Sequence, residues 1–244
     1  LRYVKSKLPL SLEVGEEQPM TGIEEKKVTY PEFYNLPNGN LLFFYRSGAS
    51  GRGNMVINSL DSKTGKWTQL QHNLLDGEAK RSAYWQASVD QQGIVHLSWV
   101  WRESWDVSTN HDLCYARSKD GGLTWEKSTG EKYELPITAS SSEYAWKIPQ
   151  KSSLINQTAM TADEKGNPYI VTYWSEKEIP QYQIVYLDKG IWKKINTGFR
   201  KTYFYLGGGG TKQIPVSRPD IIVKNNGDNP MVYVLFRDEE RGNK

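Results

Sequence analysis

Tyr30, Tyr84, Gln86, Asn156, Gln157 and Arg218 stand where short apolar segments of this chain open, and Arg46, Arg102, Trp174 and Arg237 stand where the following segments close. His111 opens another such segment just after the stretch that follows Arg102, and Arg81 lies in the connection ahead of Tyr84. These residue types share a chemistry. The planar guanidinium fork binds a carboxylate at two points, and aromatic faces pack on pyranose rings. Elimination at a uronate needs the carboxylate neutralised, the adjacent C5 proton removed and the leaving oxygen protonated. Arg102, Arg218 or Arg237 suits the first task, and His111 and Tyr84 suit the two proton transfers, since histidine titrates near neutral pH. Tyr30, Arg46, Arg81, Gln86, Asn156, Gln157, Trp174, Arg218 and Arg237 then line the ligand.

Each of these residues also has a plainer reading. Arg46, Arg102 and Arg237 recur at equivalent places, so they equally suit struts paired with carboxylates such as Asp238. His111 suits a loop hydrogen bond. His96 lies inside the Ile94 to Val100 run and reads as a satisfied core histidine, and His72 reads as solvated. Strand alternation sends Asp112 to the side opposite His111, which makes it a poor partner for that ring. Gly207 to Gly210 is followed by Thr211-Lys212, the reverse of a phosphate-loop order, and reads as a flexible loop.

The elements that position these residues repeat. Four segments share a polar or aromatic opening, an apolar run, a Gly/Asn/Asp turn and a second run of β-branched and aromatic residues, the signature of a β-hairpin. They run from Tyr30 to Tyr45, Tyr84 to Trp101, Asn156 to Trp174 and Ser217 to Phe236. Their turn glycines, Gly39, Gly93, Gly166 and Gly227, are 54, 73 and 61 residues apart. Each period holds about four short strands, the size of a generous propeller blade. The second halves agree: Asn54 to Asn58 then Trp67, His111 to Ala116 then Trp125, and Gln183 to Tyr186 then Trp192. Between the second pair, Ser118-Lys-Asp120-Gly-Gly122-Leu-Thr124-Trp125 fits the Asp-box pattern Ser-x-Asp-x-Gly-x-Thr-Trp at every position. A carboxylate and hydroxyls there tie down a tight turn, so Asp120 reads as structural. Asp61 to Trp67 and Asp188 to Trp192 are degenerate copies.

The bulk numbers remove other classes. The 244 residues are 37% hydrophobic with apolar runs of only a few residues, which predicts one folded domain over 1–244 without a membrane-spanning helix or a disordered tail. A net charge of +3 from 31 basic and 28 acidic residues spread along the chain argues against nucleic acid as a partner. Cys114 is the single cysteine, so no intrachain disulfide and no cysteine-built zinc site is expected. Leu1 opens neither the charged nor the apolar region of a signal peptide, so any export signal is expected to have been removed already or never to have existed.

Residues 30 to 238 resemble the BNR-4 branch of the neuraminidase-like superfamily. The motifs that carry the likeness are Phe43-Phe-Tyr-Arg46, Arg81-Ser-Ala-Tyr84-Trp85-Gln86, Ser98-Trp-Val-Trp-Arg102, Thr109-Asn-His111-Asp-Leu-Cys-Tyr115, Leu154-Ile-Asn-Gln157, Ser217-Arg218-Pro219 and Phe236-Arg237-Asp238. The resemblance implies an all-β propeller of four-stranded antiparallel blades, commonly secreted or periplasmic, whose relatives include polysaccharide lyases and rhamnose–glucuronate glycosidases. Three strand quartets and half of a fourth fit in the chain, so it covers about four blades of a larger ring, with residues 1–29 as unplaced edge strands. In such a meander all long connections share one face with the Arg, Tyr and His residues named above. The expected partner is a polysaccharide or oligosaccharide carrying acid or rhamnose units, cleaved by elimination or by hydrolysis. A sialidase and a non-catalytic glycan-binding propeller are the alternatives. No cofactor is expected; structural calcium often accompanies such propellers, yet no dense Asp cluster demands it.

Overall fold

The computed structural model describes residues 1–49, 52–156, 159–211, 213–226 and 229–243. Gln157 lies outside them. The architecture is all-β, with two single-turn 3-10 segments as the only helices among the described residues.

Strands β1 (Val28–Asn35), β2 (Leu41–Ala49), β3 (Arg52–Leu60) and β4 (Trp67–Gln71) form a first antiparallel quartet. A second comprises β5 (Ser82–Val89), β6 (Val95–Arg102), β7 (Asn110–Ser118) and β8 (Glu143–Trp146). A third comprises β9 (Ala159–Ala162), β10 (Pro168–Trp174), β11 (Gln181–Asp188) and β12 (Ile191–Asn196), and β13 (Asp220–Asn226) pairs with β14 (Asn229–Leu235). One parallel bridge, Gly53 to Ser82, joins the first two quartets into an eight-stranded sheet. Among the described residues no sheet closes on itself.

Successive quartets pack face on face. Leu42, Phe44 and Ile57 of the first meet Trp85, Leu97 and Trp99 of the second. On the far side of the second quartet, Tyr84, Leu113 and Tyr115 meet Met160, Ile170, Trp174 and Val185 of the third. Strands covered on both faces read as continuous runs of β-branched and aromatic residues. All eight residues of β6 and all seven of β10 are accordingly buried.

Three hairpin turns repeat one geometry. Gly39, Gly93 and Gly166 hold φ of 85°, 83° and 79°, which an L side chain rarely adopts. Asp90 and Asp163 each accept two backbone N–H bonds across their own turn. At the Ser118–Trp125 turn, Asp120 accepts from the backbone of Leu123 and Thr124 and from the hydroxyls of Ser118 and Thr124. Trp125, 1% exposed, donates its indole N–H to Gly122 and fills the core between the first two quartets.

Two placements differ from expectation. The outer strand of the second quartet is not the segment at Trp125: Glu126 bridges Arg117 and then Lys132, because the chain doubles back at Gly130 (φ 90°). Glu143–Trp146, farther along the chain, supplies β8 instead. Residues 1–20 form an irregular hairpin through the bridges Tyr3–Gln18 and Ser6–Val14, and Leu1, Tyr3 and Met20 cover Phe43 and Trp67 of the first quartet.

Truncating Trp125 to Ala is expected to cost about 3–5 kcal/mol. Asp120→Ala is expected to cost about 1–3 kcal/mol by orphaning turn donors. Both are read as a fall in the urea midpoint at unchanged slope.

Candidate functional site

The end of the first two quartets opposite the glycine turns collects Tyr30 from β1, Arg46 from the end of β2, Tyr84 from the start of β5 and Arg102 from the end of β6. Register fixes this: Arg46 pairs with Thr29, and Ser82 pairs with Arg102, which pairs with Asn110. A bulge between Thr29 and Glu32 puts Tyr30 at φ 55° and turns its ring edge-on to Tyr84, with centroids 5.6 Å apart. The Arg46 guanidinium lies 4.8 Å from the Tyr30 ring and 5.6 Å from that of Tyr84, and the Arg102 guanidinium lies 5.3 Å from Tyr84. The missing side chain of Gly53 makes room for Arg46, since a Cβ there would lie 2.5 Å from its Cδ.

Both guanidinium groups are buried, and among the described residues neither forms a close ion pair with a carboxylate, although Arg102 lies near Asp106, whose carboxyl the Ser108 N–H and this guanidinium help hold below its ordinary pKa. Arg46 donates Nε–H to the Thr29 hydroxyl at 2.9 Å, while its buried Nη1 has no hydrogen-bond partner among the described residues. Arg102 donates to the carbonyls of Ser104 and Trp105. Burial, and the charge Tyr84 carries when ionised, push the Tyr30 hydroxyl above its ordinary pKa, while Arg46 pulls the other way. Tyr84 is buried and Tyr30 half-buried, so Tyr30 is the more accessible phenol. Gln86 is buried deeper along β5 and donates to Ser98 at 2.8 Å.

Beside this cluster runs a chain of charges. Arg81 donates to Glu78 at 2.6 Å and to Glu103 at 2.7 Å. Glu103 faces His111 Nε2 at 2.7 Å, and Asp112 faces His111 Nδ1 at 3.0 Å. Asp112 also accepts from the backbone N–H of Ile148 at 3.0 Å, with the Lys147 ammonium 3.7 Å away. This corrects the alternation argument. The β6–β7 ladder shifts register between Trp99 and Trp101, Asp112 takes φ 55°, and this bulge brings two consecutive side chains to the same side. Burial works against charging His111, but its hydrogen bonds to Asp112 and Glu103 outweigh that and raise its pKa. Burial also opposes ionisation of Glu103, yet the bonds from Arg81 and His111 hold its pKa low. A depression of about 430 Å³ opens beside His111, lined by Asp112, Lys147, Ile148, Pro149 and Gln150.

The remaining residues lie apart from this cluster. Trp174 is 1% exposed and its ring belongs to the core, so it offers no face to a sugar. Asn156 is buried. Arg218 is exposed and close enough to Tyr173 to act on its hydroxyl; Arg237 is exposed and donates to Asn243 at 3.0 Å. The arginines over the Tyr30 and Tyr84 rings are Arg46 and Arg102. Asp238 pairs with Arg200 rather than Arg237, at 2.8 Å and with both side chains buried, because it caps the 3-10 turn Glu239–Arg241 with its carboxylate facing inward. His96 is buried between the Tyr115 hydroxyl and Asp90, and His72 is exposed beside Glu24.

One feature escapes a reading by residue type. Trp105, 67% exposed, stands in the loop after Arg102. The glycine run is docked against that loop rather than hanging free: Gly208 donates to Asp106 and accepts from Val107, and a Cβ on Gly209 would meet the Trp105 ring at 2.8 Å. The signal in the sequence is a Trp set in the polar stretch Arg102-Glu-Ser-Trp105-Asp106, outside any apolar run. Among the described residues no group of three or more His, Cys, Asp or Glu is placed to hold a metal ion.

A family model described as a BNR repeat-containing family member matches residues 1–200. The chain belongs to this family. Within the BNR repeat-containing family's wider likenesses, the chain is 28% identical over 141 residues to the ulvan lyase, short isoform, of Alteromonas sp. (strain LOR), covering 50% of this chain and 26% of that protein. The solved structure of the polysaccharide lyase Uly1 matches with a TM-score of 0.61 at 20% identity, over 88% of this chain and 49% of that one. A PL25 ulvan lyase bound to -[GlcA(1-4)Rha3S]- matches with a TM-score of 0.66 at 15% identity, over 96% of this chain and 57% of that one. This family member therefore spans about a quarter of the curated relative and about half of each of these solved chains. No described helix is long and apolar enough to cross a membrane.

Replacing Asp238 by Asn removes the buried carboxylate from Arg200 and leaves Glu240, at 3.4 Å, as its remaining acidic partner, and is expected to cost about 3 kcal/mol. Thermal denaturation checks it, with Arg237→Ala, an exposed control, expected within about 0.5 kcal/mol of the parent.

Proposed function

We propose that this chain is part of a secreted or periplasmic β-propeller enzyme that cleaves an acidic, uronate-containing polysaccharide by β-elimination. The face-to-face quartets act as blades, with the rest of the ring on further chain, a reading supported by the share of each relative that this chain covers.

The observation that carries the reading is Arg46: a buried guanidinium against two tyrosine rings, with an N–H group that no described residue satisfies. A buried cationic donor without a partner is costly, and an incoming carboxylate removes that cost. Arg46 and Arg102 would neutralise the uronate carboxylate, which acidifies the C5 proton. Tyr84, reached past Tyr30, and His111 would carry the two proton transfers, and the exposed ring of Trp105 would stack on a pyranose. No cofactor is required by this chemistry.

The competing reactions find less support. Hydrolysis ordinarily uses two free carboxyl groups across the bond. Here Glu103 is held by Arg81 and His111, Asp106 caps a turn and anchors Gly208, and Asp238 is locked to Arg200. A sialidase would gather an arginine trio, but among the described residues Arg218 stands by Tyr173 and Arg237 by Asn243, not with the Arg46–Arg102 pair.

Incubation of the intact gene product with a glucuronate- and rhamnose-containing polysaccharide is expected to release fragments with the ultraviolet absorbance of an unsaturated uronate. Tyr84→Phe should lower kcat by about 10²–10⁴-fold. Arg46→Ala should weaken substrate binding while leaving the thermal midpoint within a few degrees. New reducing ends without that absorbance would replace elimination by hydrolysis, and binding without turnover would leave a glycan-binding propeller.

A further inference from the structure

We infer that Trp105 and Tyr205, both packed on the glycine run Gly207–Gly210, form a shelf for an uncharged pyranose adjoining the uronate whose carboxylate meets Arg46 and Arg102. The ligand rests on the acidic-polysaccharide reading, while the shelf itself is read from packing.

Residues 203–206 alternate between core and solvent. Phe204 and the buried Leu206 pack with Val107, Ile155 and Tyr173, which joins this segment to the third quartet and to the loop after β6. Tyr203 and Tyr205 point the other way, 62% and 54% exposed. With Trp105 in the facing loop, large rings stand in water on two segments that the fold holds together. Aromatic side chains grouped on a surface in this way mark a binding site more than a solvated loop.

The glycines hold the rings in place. A Cβ on Gly207 would run into the Tyr205 ring, and one on Gly209 would lie 2.8 Å from Cε3 of Trp105. Positive φ belongs to Gly208, at 77°, and Gly210, at 73°, and to neither of these two. What Gly207 and Gly209 supply is therefore space for a ring, not a left-handed backbone. Two residues of chain span at most about 7 Å, so the rings rest on neighbouring points of one ridge. Gly208 between them is bonded through both of its polar groups, its N–H to Asp106 at 2.7 Å and its carbonyl to Val107 N–H at 3.0 Å. Arg102 fastens the opposite loop by donating to the carbonyls of Ser104 and Trp105. The rings are thus ordered before a ligand arrives, and binding loses little conformational entropy.

The charged groups that tie these segments down are already committed. Asp106 accepts from Ser108 and Gly208, and Arg200 is taken by Asp238 and Glu240. A carboxylate finds no partner among them, whereas the two ring faces suit the C–H face of an uncharged sugar. The Trp105 carbonyl is nonetheless bonded to Arg102, so the shelf adjoins the cationic site. A polymer lying across both presents an acid unit to the arginines and an uncharged unit to the rings. The shelf therefore selects a chain that mixes the two over a uniform polyuronate.

The test uses the intact gene product and a carboxyl-reduced oligosaccharide, made from alternating glucuronate and rhamnose by converting each uronate to glucose. This probe is uncharged and cannot undergo elimination, so binding is read without turnover. It is expected to shield part of the tryptophan fluorescence from acrylamide, and Trp105→Ala should abolish the shielding. Tyr205→Ala, and Gly209→Ala, which keeps both rings but displaces Trp105, should each weaken binding about 5-fold or more. Their thermal midpoints are expected within a few degrees of the parent. An oligoglucuronate of the same length should shield Trp105 less well than the uncharged probe. Absence of shielding, equal affinity in all three variants, or equal shielding by the oligoglucuronate would overturn the inference. Shielding without cleavage of the unmodified polysaccharide would remove the elimination reading and leave the shelf; cleavage without shielding would remove the shelf and leave the elimination.

Discussion

Covering both faces of a sheet leaves chemistry only its ends. In β6 and β10 every side chain is buried against a neighbouring quartet, so a charged or polar group along their length must find a partner inside the protein. His96 does so between Tyr115 and Asp90, and Gln86 does so on Ser98. At the strand ends that requirement loosens. One end is taken up by tight glycine turns, whose Asp carboxylates are spent on their own backbone; the other carries the long connections, and there Tyr30, Arg46, Tyr84, Arg102 and His111 accumulate.

Backbone irregularity then does what regular strands cannot. Ideal alternation sends neighbouring residues to opposite faces. Tyr30 and Asp112 both sit at bulges with φ of 55°, and each turns a side chain toward the rim. The first brings Tyr30 onto Tyr84; the second closes His111 between two carboxylates. Bulges next to reacting groups are a recurrent device for aiming side chains. Here two of them act on adjacent quartets.

These details mark the boundary of what the sequence reveals. The hairpins, their glycine turns, the quartet period and the end of the sheet on which Arg46, Tyr84, Arg102 and His111 lie all follow from residue pattern and strand direction. Those are local or periodic properties. Alternation misplaces Asp112 because a bulge is invisible to it, and Trp174 reads as a ligand face only until its ring is seen in the core shared with the second quartet. The outer strand of the second quartet is borrowed from beyond a reversal at Gly130, and Arg200 meets Asp238 across 38 residues. Partnerships of that kind are set by tertiary packing, which no single-window pattern encodes.

The two buried arginines with opposite fates tie these threads together. Arg200 and Asp238 are as deeply enclosed as any pair in the protein; Asp238 at 2.8 Å and Glu240 at 3.4 Å neutralise the guanidinium, so this arginine is committed to fixing the segment after β14. Arg46 is enclosed to a similar degree, yet its neighbours are phenol rings and a threonine hydroxyl, which stabilise a cation without neutralising it. Gly53 makes room for that side chain, and the Tyr30 bulge lays a ring against it. A fold that needed Arg46 only as a strut would be better served by a carboxylate beside it. Keeping the charge uncompensated is destabilising in the empty protein and favourable once an anion arrives, and this difference is what a binding site for acidic sugar requires.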